Sequence, residues 1–176
     1  MVAANAMVST PEQLAREAAA WAALATVLDP EVPVLSVCDL GLVRGVHASA
    51  HGVDVVLTPT YSGCPATEVI AQAVEQALLA VGLAPVTVTQ RREPAWTSDW
   101  ISAEGRDKLR QYGIAPPSGA AAVQGAQRIG IRPRNVACPR CDSLNTERLS
   151  AFGSTACKAL HRCLACLEPF EHFKPI

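Results

Sequence analysis

Cys64 lies in the string TPTYSGCPA, residues 58–66, between a predicted strand and a predicted helix. Pro65 suits the first position of that helix, which would leave the Cys64 thiol among unpaired backbone N–H groups at the helix N-terminus. Such a position favours the thiolate, the form of cysteine that attacks electrophiles and binds metals. The local pattern fits equally well a small buried cysteine that fills the corner between strand and helix.

Three hydroxyl side chains precede Cys64 in this string, those of Thr58, Thr60 and Ser62. Their oxygens can hydrogen-bond to the backbone and so shape the loop that holds Cys64, although such residues are also common in ordinary turns. We therefore treat the three as candidate residues of a binding loop around the thiol.

Four cysteines near the C-terminus form a second candidate site. Cys138 and Cys141 make one C-x2-C pair, Cys163 and Cys166 make another, and 21 residues separate the two pairs. This separation is one residue beyond the range of about 15–20 that is typical of four-cysteine zinc sites. Each pair presents two sulfurs from one tight turn, and two turns complete a tetrahedron around Zn²⁺. A small module with few apolar residues needs such a metal to fold, so residues 138–176 are predicted to be a zinc ribbon.

Iron is the alternative metal for this module, because four thiolates also suit a rubredoxin-like centre that transfers electrons. Cys157 is a fifth cysteine in the module. We expect it to be a free thiol in the ribbon hairpin, because Cys163 and Cys166 already complete the ligand set. His161 and His172 are expected to be surface residues rather than ligands.

Composition and charge narrow the classes of protein to which the chain could belong. Half of its 176 residues are hydrophobic, which suits one ordinary domain plus a small module. The sequence has no apolar run near the roughly 20 residues that span a bilayer, and no signal peptide. Seven cysteines then favour metal and thiol chemistry in the cytoplasm over a disulfide framework. Residues 1–113 carry twelve Asp and Glu against seven Lys and Arg, which disfavours a nucleic-acid partner.

The periodicity of apolar residues predicts an α+β domain over residues 11–113, following a flexible tail at residues 1–10. The predicted elements, in the order αββαβα, are near residues 10–28, 42–49, 53–59, 65–82, 86–89 and 102–112. Thr10 and Gln13 have the spacing of a capping box at the start of the first helix. This order favours a small three-stranded mixed sheet, an antiparallel hairpin followed by a right-handed crossover, with the helices on one face.

Residues 114–137 are expected to be a linker, since they are rich in Pro, Gly and Ala and have little capacity to pack. The helix stripes and alternating strands before this linker are complete without the ribbon. We therefore expect the first domain to fold independently of residues 138–176.

Three segments together resemble the small iron–sulfur assembly domain of SufT-like proteins. They are Asp29-Pro30-Glu31, the VCDLGL stretch at residues 37–42, and the LTPT…GCP string that ends at Pro65. The segments that follow are similar to the PaaD (also PaaJ) family encoded with bacterial phenylacetyl-CoA epoxidase, and they lie at residues 96–101, 152–158 and 168–174. The resemblance covers residues 10–176. In that family a further Cys often follows Phe-Lys near the C-terminus, where this chain has Pro175.

The resemblance implies an accessory subunit of a multicomponent oxygenase that assists the assembly of iron–sulfur or di-iron centres. The epoxidase uses a di-iron subunit and a reductase with flavin and a [2Fe–2S] cluster, and these are the partners implied. Cys64 would act as a transient ligand or thiol relay for iron or a cluster, with Asp39 as its nearby carboxylate. Asp39 could equally be a loop or capping residue.

The alternative function is an iron-binding electron-transfer component of the same oxygenase, with iron in the ribbon. Zinc would make the ribbon purely structural, whereas iron would give it visible charge-transfer colour. The sequence leaves open which subunit is the client, and whether the chain forms a homo-oligomer.

Overall fold

The structure, a computed structural model, describes three stretches of the chain, residues 10–61, 63–118 and 136–176. Residues 1–9 of the predicted tail, Ser62 of the Cys64 loop and residues 119–135 of the predicted linker lie outside them. The described helices and strands, in chain order, are α1 Pro11–Leu24, β1 Val43–Ser49, β2 Gly52–Leu57, α2 Thr67–Ala80, β3 Val86–Gln90, a 3-10 turn Ser98–Trp100, α3 Ala103–Gln111, β4 Ile114–Ala115, β5 Thr146–Ser150, β6 Lys158–Cys163 and β7 Pro169–Phe173.

The first half of the chain forms the predicted three-stranded mixed sheet. β1 pairs antiparallel with β2, and β2 pairs parallel with β3. Along β2, the side chains of Val53, Val55 and Leu57 are buried, whereas Asp54 between them is exposed. Because side chains alternate across a strand, this pattern gives the sheet one apolar face, and α1 and α2 pack against the sheet and against each other.

Local signals fix the start of α1 but not its end. The Thr10 hydroxyl accepts the Gln13 N–H at 3.2 Å and the Gln13 side chain accepts the Thr10 N–H at 2.8 Å, which confirms the capping box. The helix ends at Leu24, four residues earlier than predicted, because the chain turns back and Leu28 pairs with Ser36 in a β-bridge. Among the described residues, no helix is long and apolar enough to cross a membrane.

The C-terminal module is built on a four-stranded sheet of order β4-β7-β6-β5. β5, β6 and β7 are antiparallel neighbours, while β4 pairs parallel with β7. Both described ends of the predicted linker 114–137 belong to this sheet or its core, since Ala115 and Val136 are buried together with Cys138, Cys163 and Phe170. The expectation that the linker does not pack is therefore wrong at these ends. The few apolar residues there pack against strands that are distant in the sequence.

The ribbon shares a core with the first domain. Phe173 is 1% exposed and Cys157 is 5% exposed, and both belong to the main buried cluster of the chain. The Phe173 ring lies 6.1 Å from the Trp96 ring, and the Ser98 backbone N–H donates to the Ile176 carbonyl at 3.1 Å. The first domain is therefore covered by the ribbon, which the sequence did not indicate.

Candidate functional site

A narrow cavity lies beside Cys64, next to the start of β1, the end of β2 and the start of α2. Its walls are Asp29, Leu42, Leu57, Thr58, Pro59, Thr60, Cys64, Thr67 and Ile70. The cavity has a volume of ≈ 20 Å³, which is enough for one water molecule or one metal ion. The structure thus brings Thr58, Thr60 and Cys64 together in the lining of one cavity, and Ser62 lies outside the described residues.

Cys64 lies in a turn before α2 rather than in its first turn. The helix begins at Thr67 with Ala66 as its N-cap, two residues later than predicted. The Cys64 N–H donates to the Tyr61 carbonyl at 3.2 Å, and the Thr67 hydroxyl donates to the Cys64 carbonyl at 2.8 Å. These bonds insert an extra turn, so Pro65 does not occupy the first helical position, although the thiol stays half-buried on the N-terminal side of the helix.

Tyr61 provides a neutral donor next to the thiol. Burial raises the pKa of Tyr61 to about 12, and the nearby Cys64, Glu31 and Cys157 add to the rise. The phenol therefore stays protonated at neutral pH, and a protonated phenol can donate to a thiolate at Cys64. Tyr61 was not among the residues predicted for this site, because no local pattern distinguishes it from an ordinary turn residue.

Asp29 supplies the carboxylate of the cavity, and it too was absent from the predicted site. Its Oδ1 accepts the backbone N–H groups of Glu31 and Val32, each at 2.8 Å. Burial raises the pKa of Asp29, while these two bonds and the charge of Lys158 oppose the rise. The signal that could have identified Asp29 was its place in the Asp29-Pro30-Glu31 motif that carried the family resemblance.

Asp39 does not line this cavity, which corrects its predicted place beside Cys64. Its Oδ2 accepts the Ser36 N–H at 2.9 Å, the Ser36 hydroxyl at 2.8 Å and the Lys108 ammonium at 3.0 Å, and its backbone carbonyl accepts the Ser102 N–H. Burial raises the pKa of Asp39, but the bonds from Ser36 and Lys108 outweigh burial and lower it. Asp39 therefore joins its loop to α3, through partners more than sixty residues away that the sequence could not reveal.

The four cysteines of the ribbon converge as predicted, with all four sulfurs within 4.8 Å of one another. The Cys138 and Cys166 sulfurs are 3.8 Å apart, and those of Cys141 and Cys163 are 3.6 Å apart. A tetrahedral ion with metal–sulfur bonds of about 2.3 Å has sulfur–sulfur edges of about 3.8 Å, so the cluster fits one metal ion. The backbone N–H groups of Cys166 and Ala165 lower the pKa of Cys163 to about 6, which favours the metal-binding thiolate.

Each of the two cysteine-containing turns ends on a residue whose backbone has the left-handed helical conformation. Asp142 has φ 57° and Leu167 has φ 65°, and each directly follows the second cysteine of its pair. This conformation costs a non-glycine residue about 1–2 kcal/mol. The Asp142 N–H donates to the Cys138 carbonyl at 2.9 Å, which closes the first turn around its two sulfurs.

His161 and His172 are buried, at 6% exposure each, so the expectation that they are surface residues is wrong. Their rings meet edge to face at 5.4 Å, and His161 stacks on Phe170. Burial lowers the pKa of both, that of His172 to about 4, with the neighbouring His161 adding to the effect. They are buried because the register of β6 and β7 places them on the face of the sheet that packs around Phe170.

The two halves of the fold match two known families. Residues 17–89 match the family described as "Iron-sulfur cluster assembly protein", and residues 124–174 match the "PaaD zinc beta ribbon domain". The crystal structure of the "Domain of Unknown Function DUF59 from Bacillus anthracis" is similar with a TM-score of 0.53 and 28% identity, over 56% of this chain and 94% of that chain. The fold and its two sites thus define an iron–sulfur assembly domain joined to a metal-binding ribbon.

Two relatives refine this class. The chain is 48% identical to a protein of Escherichia coli (strain K12) named as a putative subunit of 1,2-phenylacetyl-CoA epoxidase, over 89% of this chain and 91% of that protein. It is 37% identical to the "Fe-S protein maturation auxiliary factor" of Porphyromonas gingivalis (strain ATCC BAA-308 / W83), over 60% of this chain and 95% of that protein. The chain belongs to the PaaD family.

Proposed function

We propose that this chain is a maturation subunit of a phenylacetyl-CoA epoxidase system in phenylacetate degradation. In this role it receives iron or an iron–sulfur cluster as cargo and assists its insertion into a client subunit. The observation that carries the proposal is the Cys64 cavity, where a half-buried thiol and a buried carboxylate line space for one ion, with the Tyr61 phenol near the thiol. The relative named as an iron–sulfur maturation factor supports this role for the domain that holds the cavity.

In this proposal Cys64 is the transient ligand of the cargo. A thiolate binds ferrous iron and iron–sulfur clusters well, and the half-buried position of Cys64 lets a client reach the sulfur. Asp29 offers an oxygen ligand from the cavity wall, and the Tyr61 hydroxyl stabilises negative charge on sulfur. Thr58 and Thr60 line the same cavity.

We assign structural zinc to the four-cysteine site of the ribbon. Four sulfurs at tetrahedral spacing complete the coordination of Zn²⁺ and leave no open position, as in structural zinc sites. The E. coli relative is named as an epoxidase subunit, so we propose that the partners of this chain are other epoxidase subunits, the reductase or the di-iron subunit.

Cys64→Ser tests the role of the cavity, with Cys38→Ser as the matched control. Cys38 is also a half-buried thiol of the first domain, but it does not line the cavity, and burial raises its pKa to about 11, with Asp39 adding to the rise. We expect Cys64→Ser to fold and keep its ribbon metal, yet fail to restore growth on phenylacetate to a strain that lacks this protein. The Cys38→Ser variant should restore growth. Equal growth with both variants would reject the role of Cys64.

A further inference from the structure

A groove lies where the two halves of the molecule meet, and it shares no lining residue with the Cys64 cavity. Residues of both halves line it, among them Glu31 and Tyr112 of the first domain and Leu160 and Pro169 of the ribbon. Its volume is ≈ 590 Å³, within the range of about 300–1,000 Å³ that is typical of binding pockets. The groove is therefore large enough for several side chains of a partner, unlike the Cys64 cavity.

The ribbon contributes one face of its sheet to this groove. Leu160 pairs with Glu171 and Lys158 pairs with Phe173, two residues apart along each strand, so these four side chains lie on the same face. Lys158 and Phe173 are buried, at 3% and 1% exposure, whereas Leu160 is half-buried and Pro169 is exposed. The first domain thus covers only part of the face and leaves an apolar strip, Leu160 and Pro169, open in the groove.

The groove has an excess of negative charge. Among the described residues, its lining contains Glu31, Glu168 and Glu171 against the single cation Lys158. The Lys158 ammonium is paired with Glu171 at 2.9 Å, and Glu168 lies 3.5 Å from Arg140 in an exposed ion pair. The Glu31 carboxylate has no hydrogen-bond or salt-bridge partner in the described part of the chain, and burial raises its pKa. A cation supplied by a partner would therefore stabilise Glu31.

Glu31 places this groove next to the Cys64 cavity. Asp29, two residues earlier, lines that cavity, and its Oδ1 accepts the Glu31 N–H at 2.8 Å. Two steps along the backbone, of 3.8 Å each, separate the two Cα atoms by no more than about 7.6 Å. A partner held at Glu31 therefore lies beside the cavity that contains Cys64.

We propose that this groove docks a basic segment of the client subunit, with an Arg or Lys side chain on Glu31 and an apolar side chain on Leu160 and Pro169. The inference rests on the proposed function and deepens it, because it adds the surface that brings the client to Cys64. Residues 1–113 carry twelve Asp and Glu against seven Lys and Arg, so the field of the first domain attracts a positively charged surface. The same carboxylates repel nucleic acid and small anions, which favours a protein segment as the occupant.

Isothermal titration calorimetry with the purified reductase subunit and the purified di-iron subunit tests this docking surface on the full, zinc-loaded chain. We expect one of the two subunits to bind wild-type protein, and to bind more weakly as the salt concentration rises. Glu31→Lys should bind that subunit at least about 10-fold more weakly. Asp54→Lys is the matched control, because it makes the same change in net charge at an exposed site of β2 outside the groove, and it should bind as wild type.

The results separate this inference from the proposed function. Equal binding by Glu31→Lys and Asp54→Lys, or no binding of either subunit to wild-type protein, would overturn the docking surface. Neither result bears on Cys64 as the cargo ligand, which the growth test of Cys64→Ser decides independently.

Photo-crosslinking decides the question if Glu31→Lys does not fold. A photoreactive residue is placed at position 112, because Tyr112 lines the groove and is 58% exposed. Mass spectrometry should find it cross-linked to a segment of one epoxidase subunit that contains Arg or Lys. Cross-linking to an acidic segment, to a second copy of this chain, or to neither subunit would contradict the proposal.

Discussion

Asp29 and Asp39 are both buried, at 6% and 7% exposure, yet their surroundings give their carboxylates opposite properties. Burial raises the pKa of Asp29, and its only partners among the described residues are backbone N–H groups. Asp39 has the Lys108 ammonium and the Ser36 hydroxyl, which more than offset burial and lower its pKa. At the residue scale, the Asp29 carboxylate is therefore suited to bind a cation. Asp39 is already paired with Lys108 and Ser36, and it stabilises the fold.

Asp39→Asn should destabilise the protein, because it removes the charge that binds Ser36 and Lys108. Hydrogen bonds to charged groups contribute roughly 1.5–3 kcal/mol each, and Lys108 is partly exposed, so we expect a loss of about 1–3 kcal/mol in urea unfolding. Since the folded pKa of Asp39 is lowered, its contribution is present above the unfolded value of about 3.9 and is lost as pH falls through the folded value.

Asp54→Asn is the control for this measurement, because Asp54 is an exposed carboxylate on β2. It should change the free energy of unfolding by no more than about 0.5 kcal/mol. If Asp39→Asn is as stable as Asp54→Asn at neutral pH, Asp39 does not anchor the loop to α3.

At the scale of elements, the sequence predicted what depends on local spacing. The capping box, the strand order of the first sheet and the two C-x2-C pairs of the metal site all follow from patterns that are visible in short segments of the sequence. β4 was missed because a two-residue strand has no periodicity and exists only through its pairing with β7. The burial of His161 and His172 likewise depends on the register of β6 and β7, which no local pattern encodes.

Cys163→Ser should remove the metal from the ribbon. Wild-type protein is expected to be colourless and to hold about one zinc per chain, and the variant should lose it, because three sulfurs cannot complete the tetrahedron. The module should then become sensitive to protease, since it depends on the metal to fold. Cys157→Ser is the control and should keep the zinc. Full zinc in Cys163→Ser, or iron with visible colour in the wild type, would contradict the zinc assignment.

At the scale of the whole molecule, the ribbon acts as part of the core of the first domain. Phe173 packs against Trp96, and Ile176 is hydrogen-bonded to Ser98. The sequence could not show this, because the apolar faces of the first domain looked complete within residues 11–113. Only the fold reveals that Phe173 and Cys157 fill one side of that core.

Phe173→Ala should destabilise both halves together, by about 3–5 kcal/mol, because it opens a cavity where the halves meet. Calorimetry should show one cooperative transition that moves to lower temperature. Phe152→Ala is the matched control, since Phe152 is 65% exposed and its loss should have little effect. Two separate transitions in the wild type, or equal stability of the two variants, would show that the ribbon and the first domain fold independently.

If the Cys64 cavity delivers metal to the epoxidase, as we propose, the iron content of the epoxidase subunits depends on Cys64. The subunits are purified from cells that carry either Cys64→Ser or Cys38→Ser in place of the wild-type chain, and iron is measured in each of them. We expect subunits largely without iron from the Cys64→Ser cells and normally loaded subunits from the Cys38→Ser cells. Full iron occupancy in the Cys64→Ser cells would contradict the proposal.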